Sequence, residues 1–271
     1  IDLDAYFARI AYSGGCEPTL ETLSALHVLH PQAIPFENLD PLMKRPVLID
    51  AVAIQNKLIH ARRGGYCYEH NGLLMRVLQQ LGFRVTGLMA RVLWFVPDNT
   101  MTPRSHMILR VELDGHDYVA DVGFGGLTLT APLRLADIGE QATPHEPFRL
   151  TGAGNGFFMQ AKVRGEWRSL YRFDLAEQIR ADYEIPNWYA CTNPSSRFVN
   201  DLMVARTLPG KRYGLLNNEL STHTPAGTAR CQLHSANELR TALEDLFGIA
   251  VPVDDALDAV LARLTKTDGA A

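Results

Sequence analysis

Cysteine is scarce in this chain. The 271 residues contain four, Cys16, Cys67, Cys191 and Cys231, with no C-x-x-C pair among them. That spacing excludes a disulfide scaffold and the cysteine-rich sets of structural zinc. A reducing cytosol is the expected setting. Long apolar runs are missing too. Nothing approaches the roughly 20 residues that cross a bilayer as a helix. The stretch Ile1 to Ile10 carries Asp2, Asp4 and Arg9, so it reads as a helix start and not a signal sequence. Charge of one sign is also lacking. The formal net charge of −4 argues against a broad docking surface for nucleic acid or an anionic membrane. There is no internal repeat or low-complexity segment, and the terminal Gly-Ala-Ala is expected to fray. What is left is 46% hydrophobic and 21% charged residues, enough to bury a sizeable core without staples.

Helical spacing dominates the first third. Thr19 is placed to cap a segment carrying Leu20, Leu23, Leu26 and Leu29, with Pro31 expected just past its end. Asp50 is placed to cap a second, in which Ala51, Ile54 and Leu58 recur. The proline-punctuated Ile34 to Leu39 between them reads as an ordered loop. A third helix follows Arg62-Arg63-Gly64-Gly65, with Leu73, Leu74, Val77, Leu78 and Leu81 on one stripe and Gly82 at its left-handed end. The period then shortens to two. Residues 84 to 94 set Leu88, Ala90, Val92 and Trp94 on one face. Residues 107 to 113 alternate, and Asp114-Gly115 is a strong hairpin signal. The return strand is predicted from about Asp117 to Phe124, and a second hairpin turns at Arg164-Gly165-Glu166. In the last third, 202–208 and 228–233 read as strands. Ser235 opens a capping box, and a final helix carries Leu257, Val260, Leu261 and Leu264.

Cys67 falls just after two glycines, in the first turn of the third helix. Unsatisfied amides and the positive end of the helix dipole there favour the thiolate, which is the nucleophilic form. The same amides are suited to stabilising an oxyanion. A buried cysteine packing as a small hydrophobe is the plainer alternative, so the nucleophile reading needs a base. A two-residue turn at Asp114-Gly115 sets Leu113 opposite His116. Continued along the hairpin, that register places His106 opposite Gly123. Asp121 then becomes a diagonal neighbour of His106 on the same face. A carboxylate reaching an imidazole fixes its tautomer and stabilises the imidazolium. The glycine opposite leaves the histidine room. Each residue alone has a bland reading, but together with Cys67 they compose a nucleophile, base and orienter.

Three blocks of sequence carry a resemblance. Arg63-Gly64-Gly65-Tyr66-Cys67-Tyr68-Glu69-His70-Asn71, Ile34-Pro35-Phe36-Glu37-Asn38-Leu39 and Asp121-Val122-Gly123-Phe124-Gly125 together resemble the bacterial arylamine N-acetyltransferases, over essentially the whole length. The resemblance implies an α+β fold with a cysteine-protease or transglutaminase-like core. Its parts would be a helical domain over 1–84, a β-barrel domain over 85–185 and an α/β lid over 186–271. It implies that acetyl-coenzyme A acetylates Cys67 and that an arylamine, hydrazine or arylhydroxylamine then takes the acetyl group, with His106 as base and acid and Asp121 as its orienter. Phe36, Tyr68, Val92 and Phe124 match pocket positions, with Phe198 a further candidate wall. Gly125 and Gly126 are candidates to meet coenzyme A with backbone amides, although a tight turn explains them as well. No metal, nucleic acid or membrane partner is implied. Three rivals stand beside this reading: an amidase or transglutaminase-like hydrolase on the same three residues, a metal site built on Cys67 and His70, and an inactive binding protein that keeps the fold.

Overall fold

The computed structural model describes residues 1–265; the terminal Gly-Ala-Ala lies outside them. The helical part comprises α1 (Leu3–Ile10), α2 (Leu20–Ala33), α3 (Leu39–Leu42), α4 (Ala51–Gln55) and α5 (Cys67–Gln80). Side-chain oxygens of Asp2, Thr19 and Asp50 accept the first free amides of α1, α2 and α4. α2 does not stop at Pro31 but carries it inside and ends at Ala33. α4 runs on into one π-helical turn, Asn56–His60, which the periodicity did not indicate. Gly82, at φ 87°, sits just past α5 as expected.

A long antiparallel meander follows: β1 (Arg84–Val92), β2 (Arg104–Leu113), β3 (His116–Ala120), β4 (Leu133–Arg134), β5 (Gly139–Gln141), β6 (Phe148–Ala153), β7 (Gly156–Val163) and β8 (Glu166–Phe173). The sheet order is β4-β3-β2-β1-β8-β7-β6-β5, so the first and last strands of the order approach each other. The Gln141 side chain joins them, accepting from the Arg134 amide at 2.9 Å and donating to the Arg134 carbonyl at 3.0 Å. The result is a nearly closed, barrel-like sheet. Two helices, α6 (Arg180–Thr192) and α7 (Arg197–Asn200), lead to a four-stranded antiparallel sheet of β9 (Met203–Leu208), β10 (Lys211–Leu216), β11 (Glu219–Thr224) and β12 (Gly227–Gln232). α8 (Ala236–Thr241), a π-helical turn at Ala242–Leu246 and α9 (Asp255–Leu264) are the last elements of the described residues. The fold is α+β.

Buried apolar residues form three clusters. One fills the space between α1, α2, α5 and one face of β2, using Met107, Leu109 and Val111. A second lies inside the barrel and includes Leu88, Ala90, Ile108, Phe148 and Tyr171. A third joins Leu39 and Leu42 to Val204, Leu215, Leu243 and Leu257. β2 is therefore buried on both faces from His106 to Leu109, with Ile108 inside the barrel opposite the Met107 and Leu109 face. The clusters cross the expected boundaries, since the first takes Met107, Leu109 and Val111 from the sheet and the third takes Leu39 and Leu42 from the helical part; the boundary at 185/186 falls within α6.

Candidate active site

The first eight residues of α5, Cys67 to Leu74, are all buried. A helix enclosed on every side must find protein partners for its polar residues, and each one does. Glu69 accepts from the Tyr66 amide at 3.1 Å and from Lys57 Nζ at 2.8 Å. Burial pushes Glu69 up to about 7 against the pull of Lys57. Lys57 also meets Asp40 at 2.6 Å, and Arg63 joins Asp40 to Glu37. This buried ionic cluster ties the Pro-Phe-Glu-Asn-Leu stretch to the segment leading into Cys67. Backbone bonds reinforce it, with Glu37 N donating to Gly65 O at 2.8 Å. A Cβ on Gly64 would stand 2.0 Å from the Pro35 carbonyl oxygen, so two of the sequence blocks are halves of one close backbone contact.

Cys67 opens α5 and keeps 5% of its surface exposed. Its sulfur faces the Ser105 carbonyl at 3.9 Å and borders the His106 ring. Ser105 is the extra residue of a β-bulge, because Ala90 pairs with His106 while Arg91 pairs with Arg104. His106 Nε2 donates to Asp121 Oδ2 at 2.7 Å, which leaves Nδ1 for the sulfur. Burial alone would push His106 down. The Asp121 carboxylate, by charge and hydrogen bond, and the adjacent Cys67 outweigh it and push the ring up to about 10. Asp121 is itself fully buried, which raises it. His106, Asn71 and the Gly123 amide more than compensate and hold it below the ordinary carboxylate value.

The hairpin register is the one expected, through Leu113 with His116 and as far as Leu109 with Ala120. The ladder stops there. His106 has Ala90 as its partner, not Gly123, and Asp121 reaches it from just beyond the end of β3. Gly123 is small for a different reason: a Cβ there would lie 2.8 Å from Cys67 Cα and 3.1 Å from His70 Cβ. The absent side chain makes room for α5.

Sequence reasoning missed Asn71. Its Nδ2 donates to Asp121 Oδ1 at 2.9 Å and to Met107 O at 2.7 Å, while its Oδ1 accepts from the Val122 amide at 3.0 Å. The signal was available, since Asn71 stands four residues after Cys67 and so shares its helix face. His70, which had no assigned role, accepts from His30 Nε2 at 2.9 Å and donates from Nε2 to Pro35 O at 3.1 Å. Both its nitrogens are engaged away from the sulfur, which removes the Cys67–His70 metal reading. Among the described residues no group of three or more His, Cys, Asp or Glu side chains is arranged to hold a metal ion.

Around the site, Phe124 is half-buried with its ring edge-on to His106 at 5.1 Å. Val92 pairs with Tyr171, whose ring also lies 5.1 Å from His106. Phe36 stacks on His70 and meets Phe198 at 6.3 Å. Tyr68 is almost fully buried, its hydroxyl donating to Ser105 O at 2.9 Å. Gly125 lies under the Phe36 ring and its carbonyl accepts from Thr128 N, which makes a turn, and Gly126 is exposed. The Gly123 and Phe124 amides are already spent on Asp121 and Thr128.

A family model described as N-acetyltransferase matches residues 19–256. The arylamine N-acetyltransferase of Mycobacterium tuberculosis is 42% identical over 99% of both chains, and that of Escherichia coli is 43% identical over 94% of this chain and 90% of its own. This chain belongs to the arylamine N-acetyltransferase family. Among family structures, that of the Mycobacterium marinum enzyme superposes with a TM-score of 0.94 at 42% identity, covering 98% of this chain and 100% of the other. The same enzyme in complex with CoA superposes with a TM-score of 0.93 at 42% identity, over 97% and 99%. The α+β architecture with its barrel-like sheet is thus the family's, and the chain is an acyltransferase by membership.

Proposed function

We propose that this chain transfers the acetyl group of acetyl-coenzyme A to arylamines, arylhydrazines and arylhydroxylamines through a thioester on Cys67. One observation carries the reading: a cysteine at a helix N-terminus borders a histidine that a buried carboxylate holds up to about 10. Such an imidazole takes the thiol proton readily and persists as imidazolium beside a thiolate. The Cys67 sulfur attacks the thioester carbonyl, the carbon–sulfur bond to coenzyme A breaks, and the departing thiolate takes a proton from His106. Donor and acyl-enzyme are both thioesters, so this exchange is nearly balanced. In the second half the acceptor nitrogen attacks the acetyl-cysteine and gives its proton to His106, and the Cys67 sulfur leaves. Asp121 keeps the imidazole in place through both halves.

The small exposed fraction of Cys67 suits the slender thioester end of coenzyme A. Phe36 and Phe124 offer flat apolar walls to an aromatic acceptor and Val92 an aliphatic one, with Tyr68 a fourth candidate. The amides of Gly125 and Gly126 are the remaining candidates to meet the cofactor. Charge and cysteine usage fit a cytoplasmic enzyme with no nucleic-acid or membrane partner, and among the described residues no helix is long and apolar enough to cross a membrane.

Rapid mixing with acetyl-coenzyme A and no acceptor tests the mechanism. A burst of free coenzyme A equal to the enzyme present is expected, and none in Cys67→Ala. Steady release without a burst would favour the hydrolase reading.

A further inference from the structure

We propose that His27 is a positioning residue for acyl transfer: its imidazole holds the peptide unit from which the Asp121 carboxylate projects, and so fixes where that carboxylate meets His106. The inference rests on the Cys67–His106–Asp121 reading above. β3 ends at Ala120, and the chain then leaves the ladder inside the protein. An amide that leaves a ladder in the interior needs another acceptor. Asp121, fully buried, finds it in His27 Nε2 at 3.0 Å. His27 lies on the buried side of α2 with Leu23 and His30, a place where an apolar side chain would pack as well.

Because Nε2 accepts, the ring proton sits on Nδ1. Packing alone does not call for a polar ring on this buried helix face; the bond to Asp121 does. Burial holds His27 down to about 4 against the pull of Asp121, so the ring remains an acceptor at neutral pH. Other bonds hold the carboxylate and the amides beyond it: Asn71 binds Asp121 Oδ1 and the Val122 amide, the Gly123 amide closes on Oδ1, and His106 meets Oδ2. His27 adds a tether from α2, made to the Asp121 backbone itself.

The test uses the full chain with His27→Leu, His27→Gln and, as control, Cys67→Ala. Steady-state arylamine acetylation gives kcat and KM. The pH profile of Cys67 alkylation by iodoacetamide reports the state of the neighbouring imidazole. His27→Leu is expected to lose about tenfold in kcat, with the acceptor KM little changed and the alkylation profile displaced towards that of a free thiol. His27→Gln, whose amide oxygen can accept the same N–H, is expected to recover most of both. If His27→Leu does not fold, His27→Asn, which stops short of the Asp121 amide, is expected to show the same losses. Wild-type kcat and profile in a folded variant lacking the acceptor would overturn the assignment, as would equal losses in Leu and Gln. Turnover retained in Cys67→Ala would instead sink the acyl-cysteine reading, and it is read separately from the His27 variants.

Discussion

Replacing Asp121 with Asn removes one charge and nearly no volume, yet the structure assigns it a large effect. The rise of His106 from 6.5 to about 10 corresponds to about 5 kcal/mol of preference for the imidazolium. Most of what supports it is the Asp121 charge, with Cys67 the smaller contributor. Without that charge, burial dominates and the ring turns neutral at physiological pH. The hydrogen-bond pattern adds a second loss. Asn71 Nδ2 and the Gly123 amide both donate to Oδ1, so the new amide must keep its oxygen there and turn its NH2 towards His106. The imidazole must then accept at Nε2 and carry its proton on Nδ1, against the sulfur whose proton it should take. Charge loss and wrong tautomer together predict a fall in kcat of roughly 10³- to 10⁴-fold, the scale seen when a triad carboxylate is made an amide. Two assays read it: steady-state acetylation, and Cys67 alkylation against pH. The wild type is expected to alkylate at a plateau through neutral pH, and Asp121→Asn with the rising profile of a free thiol. A variant that kept the neutral plateau would refute the argument, because the carboxylate would not then be what sustains the ion pair.

Other perturbations follow from the same contacts. Gly123→Ala puts a methyl 2.8 Å from Cys67 Cα; a loss of about 1–3 kcal/mol in urea unfolding is expected, together with most of the activity. Lys57→Met strips Glu69 of its counter-ion. Glu69 is already near 7 and takes up a proton in response, so the cost should lie at the low end for a broken buried pair, about 3 kcal/mol by denaturation. Stability should also fall as pH drops from about 6.5 to about 4. Burial holds His27 and His70 down to about 4 and His30 well below its ordinary value, so the unfolded chain binds protons that the folded one refuses. Glu69, raised to about 7, and His106, raised to about 10, bind protons more readily in the folded chain and oppose this fall near the top of the window, but three histidines outweigh them. Unfolding free energy that stays level would contradict the neutral assignment of the three rings.

The sequence was most informative where one local rule governs. The caps at Thr19 and Asp50, the left-handed Gly82 and the Asp114-Gly115 turn follow from short-range chemistry. The turn set the register as far as Leu109 and Ala120, beyond which Asp121 reaches His106 off the ladder. Legibility failed where a second contact competes. Pro31 stays inside α2 because the helix is held by its buried face. β3 ends early because His27 and Asn71 capture the amides of Asp121 and Val122, partners 94 and 51 residues away. The strands 211–216 and 219–224 carry Arg212, Tyr213, His223 and other polar residues on a half-exposed sheet, so their alternation was faint. Asn71 and His27 look in sequence like polar interruptions of apolar stripes, and only the assembled site gives them partners.

Cys67 is built into the helical core, whereas its imidazole is flanked by Phe124 and Tyr171 of the barrel. A chain leaving the ribosome presents residue 67 well ahead of residues 106 and 121. On the mechanism proposed above, that thiol has no proton acceptor beside it until the barrel closes against α5. Chemical potency would then be a property of the docked whole, withheld during synthesis and forfeited as soon as the two cores part.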